Sequence, residues 1–161
     1  MGMLRRSLLM AALIFWLGGL AFYGAVVVPV GRSAIGATQS LVTRDVAFYL
    51  NLITLVAIPF MAWDLLAGRD PSAARRRLRW FCCANALLTL VALVWLRSEL
   101  VAHMASGTLG SGGFRSLHQA FVAVGAWQWW WGAAYVVSML YGWRAEDQQQ
   151  FRLIGSSNGE G

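Results

Sequence analysis

FRSLHQAFVAVGAWQWWWGAAYVVSMLYGW, residues 114–143, decides the reading of this chain. It carries five of the nine tryptophans, together with His118 and a glutamine, Gln128, set inside an apolar run. At a helical rise of about 1.5 Å per residue it is long enough to cross a hydrocarbon core of about 30 Å. Three more apolar runs precede it: residues 7–30, with no charge at all; residues 46–63, bounded by Asp45 and Asp64; and residues 80–96. The reading is an all-α protein, a four-helix transmembrane bundle with both termini cytoplasmic.

The composition agrees. Of the 161 residues, 58% are hydrophobic and 12% charged, about half the charge of an ordinary soluble domain. All thirteen basic residues are arginine, and the net charge is +6. A basic balance points to nucleic acid or to a membrane surface. Here the charges lie between apolar runs, so anionic lipid headgroups are the expected partner and nucleic acid is not. Cys82 and Cys83 are adjacent and are the only cysteines, which excludes a disulfide framework and a paired-cysteine zinc site.

The transmembrane domain is expected over 1–145, with helices at about 7–30, 46–63, 71–96 and 114–143, and a polar, disordered tail over 146–161. The first run exceeds the roughly 7–15 residues of a signal-peptide core and reads as a retained helix, ended by Pro29 and Gly31. Its Ala11, Gly18 and Ala25 fall seven apart, a small-residue face on which another helix, a second copy or a partner membrane protein can pack closely. Thr43 is the expected N-cap of the second helix, and Pro59 should kink it. Asp70 before Pro71 reads as the N-cap of the third. The arginines just after it, Arg75, Arg76, Arg77 and Arg79, are expected at anionic headgroups.

Arginine placement sets the orientation. Arg5, Arg6, Arg69, Arg75, Arg76, Arg77, Arg79, Arg144 and Arg152 lie on one side, against Arg32, Arg44, Arg97 and Arg115 on the other. The positive-inside rule then places both termini in the cytoplasm, and the locale expected is a bacterial cytoplasmic (inner) membrane, crossed in several passes.

Depth follows from that orientation. Tyr23, Asn51 and His118 fall in the outer half, Arg44 at the outer rim, and Gln128 about 15 Å below His118. On the fourth helix His118, Gly125, Gln128, Gly132 and Tyr135 share one face at 3.6 residues per turn. An outward-facing pocket lined by Tyr23, Asn51, His118 and Gln128 would suit a small hydrophobic molecule with one or two polar groups. The competing reading makes the amides interhelical hydrogen-bond partners. Only two histidines, His103 and His118, are present, so a bis-histidine haem is not expected. No metal site or phosphate-binding loop is expected either, and no cofactor is specified.

The pieces FYGAVVVPVG (22–31), VTRDVAFYLNL (42–52) and FRSLHQAFVAVGAWQW (114–129) resemble a group of small four-helix bacterial membrane proteins, distantly similar in layout to the anthrone-oxygenase-like membrane family. Tyr23, Pro29, Thr43, Arg44, Asn51, His118, Gln128 and Trp129 carry the resemblance. It implies that Arg44, Asn51, His118 and Gln128 belong to one site, and it specifies no activity; Tyr23 and Trp129 are the further ligand-binding candidates. The functional expectation is therefore a membrane protein that binds a small apolar ligand or a partner protein. A membrane oxidoreductase or oxygenase-like enzyme using His118 as acid and base, and a small transporter subunit, are the alternatives.

Overall fold

The structure is a computed structural model that describes residues 2–35, 39–68, 70–107 and 112–157. Four helical rods form a bundle, with no strand among the described residues. The first rod joins α1 (Gly2–Phe22) through a π-helical turn (Tyr23–Val27) to α2 (Val28–Ile35). The others are α3 (Gln39–Ala67), α4 (Ala73–Ala105) and α5 (Gly112–Ser157). Each rod packs on the next, and α5 closes the ring against α1.

The helices run well past the apolar stretches. The first rod does not end at Pro29: the Val28 N–H reaches the Tyr23 carbonyl in a wider π turn, and Pro29, which has no N–H to offer the preceding turn, lies one residue beyond it. Residue 43 lies inside α3 and so is not its N-cap. Pro59 lies inside the 29-residue α3. Ser72, not Asp70, caps α4: its hydroxyl accepts the Arg75 N–H at 3.4 Å. Helix α4 continues to Ala105, through residues expected to form a loop. Helix α5 continues through Glu146 and Asp147 to Ser157, where a disordered tail was expected from 146 onward; residues 158–161 lie outside the described residues.

Three stretches, Met3–Gly31, Arg44–Ala67 and Ala73–Ala105, are long and apolar enough to cross a membrane. Helix α5 is not among them despite its 46 residues. Its tryptophans, histidine and glutamines score as weakly hydrophobic or polar on a hydropathy index, although tryptophan carries a large apolar body.

The core is concentrated toward the end of the bundle that holds the chain termini. Leu9, Leu13 and Trp16 of α1 meet Ala57, Met61 and Leu65 of α3, Cys82, Cys83 and Ala86 of α4, and Tyr135, Met139 and Trp143 of α5. Both cysteines are free and buried and serve as small apolar fillers. Helix α5 reaches α1 closely at Gly132, where a Cβ would fall 2.5 Å from Leu17 Cδ2 and 3.2 Å from Trp16. Close backbone approach of this kind is how helices associate in lipid, where apolar burial alone gives no drive.

Beneath this core lies a buried charge network that ties all four rods together. Asp64, fully buried, accepts from Arg79 and from Trp143 Nε1 at 3.2 Å, and forms an ion pair with Arg5, whose Nε lies 3.3 Å away. Arg5 and Arg6 reach Glu146 at 3.4 and 3.1 Å, and Arg6 pairs with Asp147 at 2.8 Å. Asp70 accepts the Ser72 N–H and pairs with Arg75 at 2.8 Å. Burial works against ionising Asp70, but Arg75, the Ser72 N–H and Arg79 outweigh it and hold its carboxyl below the usual carboxylate range. Four arginines thus face four carboxylates. Arg79, expected at lipid headgroups, is only 2% exposed and points into the protein, and Arg75 is committed to Asp70. Arg76 and Arg77 remain exposed.

Candidate functional site

At the opposite end the rods separate around a cavity of about 510 Å³. Each rod contributes to its wall. The π turn and its neighbours supply Leu20, Tyr23, Gly24 and Val28; α3 supplies Arg44, Ala47, Leu50 and Asn51. Helix α4 adds Leu93, Arg97 and Leu100, and α5 adds His118, Phe121, Gly125 and Trp129. The wall is mostly aliphatic and aromatic, with a few polar groups, which is the usual make-up of a small-molecule pocket.

Five of the six residues singled out from the sequence, Tyr23, Arg44, Asn51, His118 and Trp129, line this one cavity. Gln128 does not. It is 1% exposed, and its Nε2 donates to the Ala86 carbonyl of α4 at 3.4 Å, below the cavity floor. Its face of α5 turns inward as expected, since Gln128, Gly132 and Tyr135 are all buried. Its depth is what separates it from the site: it serves as a link between α4 and α5.

The polar groups of the cavity differ in how well they are satisfied. Trp129 Nε1 donates to the Leu17 carbonyl at 3.3 Å, which closes the cavity floor between α1 and α5. His118 lies nearly parallel to the Phe114 ring, centroids 6.3 Å apart; no carboxylate pairs with it among the described residues, so no histidine–carboxylate relay is assembled. Asn51 is 8% exposed, and its Nδ2 has no hydrogen-bond partner. A buried amide donor left unmade costs about 1–3 kcal/mol, so this one is an open demand for an acceptor.

Arg44 and Arg97 stand at the mouth. Arg44 pairs with Asp45 at 2.9 Å. Arg97 donates its Nε to the Arg44 carbonyl at 3.3 Å and lies over the Phe48 ring at 5.2 Å. Among the described residues no carboxylate forms an ion pair with Arg97, in contrast to the matched arginines at the other end. Arg97 was visible in the sequence only as a rim charge; its place in the cavity wall comes from the continuation of α4 past residue 96.

Elsewhere the described residues hold no cluster of three or more His, Cys, Asp or Glu side chains able to hold a metal ion. The small-residue face of α1, Ala11, Gly18 and Ala25, is exposed and takes no part in packing the bundle.

Fold and site together define a helical membrane-type protein: a four-helix bundle closed at one end by core and ion pairs and hollow at the other. No family model, curated protein or solved structure matches the chain.

Proposed function

We propose that this is a multi-pass membrane protein whose hollow end binds a small, mainly apolar molecule. All four rods cross the bilayer in this reading. The matched, arginine-rich end faces the cytoplasm of a bacterial cell, where Arg76 and Arg77 meet anionic headgroups, and the cavity lies toward the outer leaflet. The observation that carries the binding role is the cavity itself: about 510 Å³ with a mostly apolar wall, in which Asn51 is one of the few polar lining residues and keeps its Nδ2 without a partner. Water at that depth would be held by few polar neighbours, so an apolar guest with one acceptor fits the wall better.

The test uses the tryptophans of the wall. The purified protein in nanodiscs is titrated with a brominated apolar compound, and emission is read with and without Trp129→Phe. Saturable quenching that shrinks in Trp129→Phe and weakens when the Gly125→Phe ring intrudes on the cavity is the expected result. Quenching that rises linearly, as for partition into lipid, and is the same in Gly125→Phe would refute the binding role.

A further inference from the structure

Resting on that reading, we propose that the guest is an anionic acyl amphiphile admitted sideways from the bilayer, its charged head on Arg97, its carbonyl on Asn51 and its chain in the gap between α1 and α5.

The side passage comes from how the two rods diverge. They meet at Gly132, and one turn further toward the hollow end Trp129 holds the Leu17 carbonyl. Beyond that point they part. Ala21 and Gly24 on one rod and Val122 and Ala126 on the other line the cavity and are also exposed at the flank of the bundle. The cavity therefore reaches the lateral surface between them. A Cβ at Gly24 or at Gly125 would meet nothing within 4 Å, so the passage is not held shut by packing. On the α1 side it lies within the Met3–Gly31 stretch that is apolar enough to span a membrane, so what faces the passage is lipid, not water. Tyr23 and Gly24 of the π turn belong to this same wall; π-helical turns inside helices are frequent at functional sites.

The head chemistry comes from two polar residues of the cavity wall, Asn51, whose Nδ2 has no partner, and Arg97, which has no ion pair among the described residues. At the closed end each of Arg5, Arg6, Arg75 and Arg79 has a carboxylate. At the mouth, Asp45 is engaged with Arg44 but also lies within electrostatic reach of Arg97. One carboxylate thus serves two arginines, and a single excess positive charge faces the cavity. Guanidinium groups recognise carboxylate and phosphate with charge-assisted hydrogen bonds. Asn51 follows Arg44 by seven residues on α3, about 10 Å along the axis, and Arg97 is tied to the Arg44 carbonyl. A carbonyl a few bonds below an anionic head would meet the Asn51 donor as the head meets Arg97. A phospholipid fragment has this order of groups: phosphate, ester carbonyl, alkyl chain.

The experiment is displacement of a fluorescent acyl probe from the protein in nanodiscs of neutral lipid, by oleoyl lysophosphatidic acid, by monooleoylglycerol and by inorganic phosphate. Lysophosphatidic acid is expected to compete about tenfold more strongly than monooleoylglycerol, the worth of one charge-assisted pair, and inorganic phosphate not at all. In Arg97→Gln the two lipids become equal competitors. In Asn51→Leu both weaken together. Equal competition in the unaltered protein, or an Arg97→Gln variant that keeps the tenfold preference, overturns the anionic amphiphile and leaves the apolar binding role standing. Competition by inorganic phosphate would place a free anion, not a lipid, on Arg97 and also overturns it. No saturable probe binding at all would remove the binding role itself.

Discussion

Asp64 is the point at which the closed end can be broken most cleanly. Its carboxylate has no exposure and serves Arg79, Arg5 and Trp143 at once. In Asp64→Leu the two arginines stay where they are, 2% and 8% exposed. Arg5 keeps Glu146, whereas Arg79 is left with Asp70 at 3.9 Å. Removing one partner of a buried ion pair costs about 3–5 kcal/mol, because the other charge is left uncompensated, which corresponds to roughly two to four powers of ten in the unfolding equilibrium. Adding Arg79→Met removes the stranded charge. Replacing a buried pair by apolar groups of similar volume is often neutral, so the double variant should recover well over half of the loss. The assay is reversible unfolding in mixed micelles, followed by the emission of the tryptophans. If the double variant is as unstable as the sum of the two singles, the charges are not coupled and the account of the closed end fails.

The remaining expectations can be read on the same purified protein. Asp70 has its carboxyl held low in the folded state, so its stabilisation is full above the ordinary carboxylate range and is lost as pH falls through the folded value. Asp70→Asn should accordingly flatten the acid limb of the stability curve, and an unchanged acid limb would count against the Arg75 pairing. Gly132→Val should destabilise by about 1–3 kcal/mol, because its side chain meets Leu17 and Trp16. Gly18→Ala, with nothing within 4 Å, should stabilise by about 0.5–1 kcal/mol; the two glycines responding alike in an unfolding titration would refute the assigned packing. Ser72→Ala should cost about 0.5–2 kcal/mol through loss of the α4 cap, read as an earlier unfolding midpoint.

The helices themselves were plain in the sequence, because an uncharged run such as residues 7–30 leaves no other structure that satisfies its backbone in an apolar medium. Their ends were not. Charged residues at 64, 146 and 147 read as loop and tail, since a charge normally marks where a helix leaves the apolar layer. Here the charges neutralise one another, and the helices continue beneath them. The hint available was that four of the seven acidic residues, Asp64, Asp70, Glu146 and Asp147, fall at one end of the bundle beside the densest arginines. The face of α5 that turns inward was legible from its 3.6-residue spacing, and depth along each run brought Tyr23, Asn51 and His118 to one level. Gln128 shared the face but not the level, so spacing alone could not exclude it from the cavity. Arg97 was hidden for the opposite reason: the end of the apolar run at Leu96 reads as the end of the helix, while α4 carries on for nine more residues to Ala105.

The most direct test of a hollow, ligand-holding bundle is native mass spectrometry of the protein taken from its own membrane in polymer-bounded discs. The account predicts a mass above that of the bare chain by one small amphiphile, recovered on extraction and diminished in Gly125→Phe, whose ring intrudes on the cavity without touching the closed end. A wild-type chain at its bare mass, or an adduct that Gly125→Phe retains in full, would contradict it.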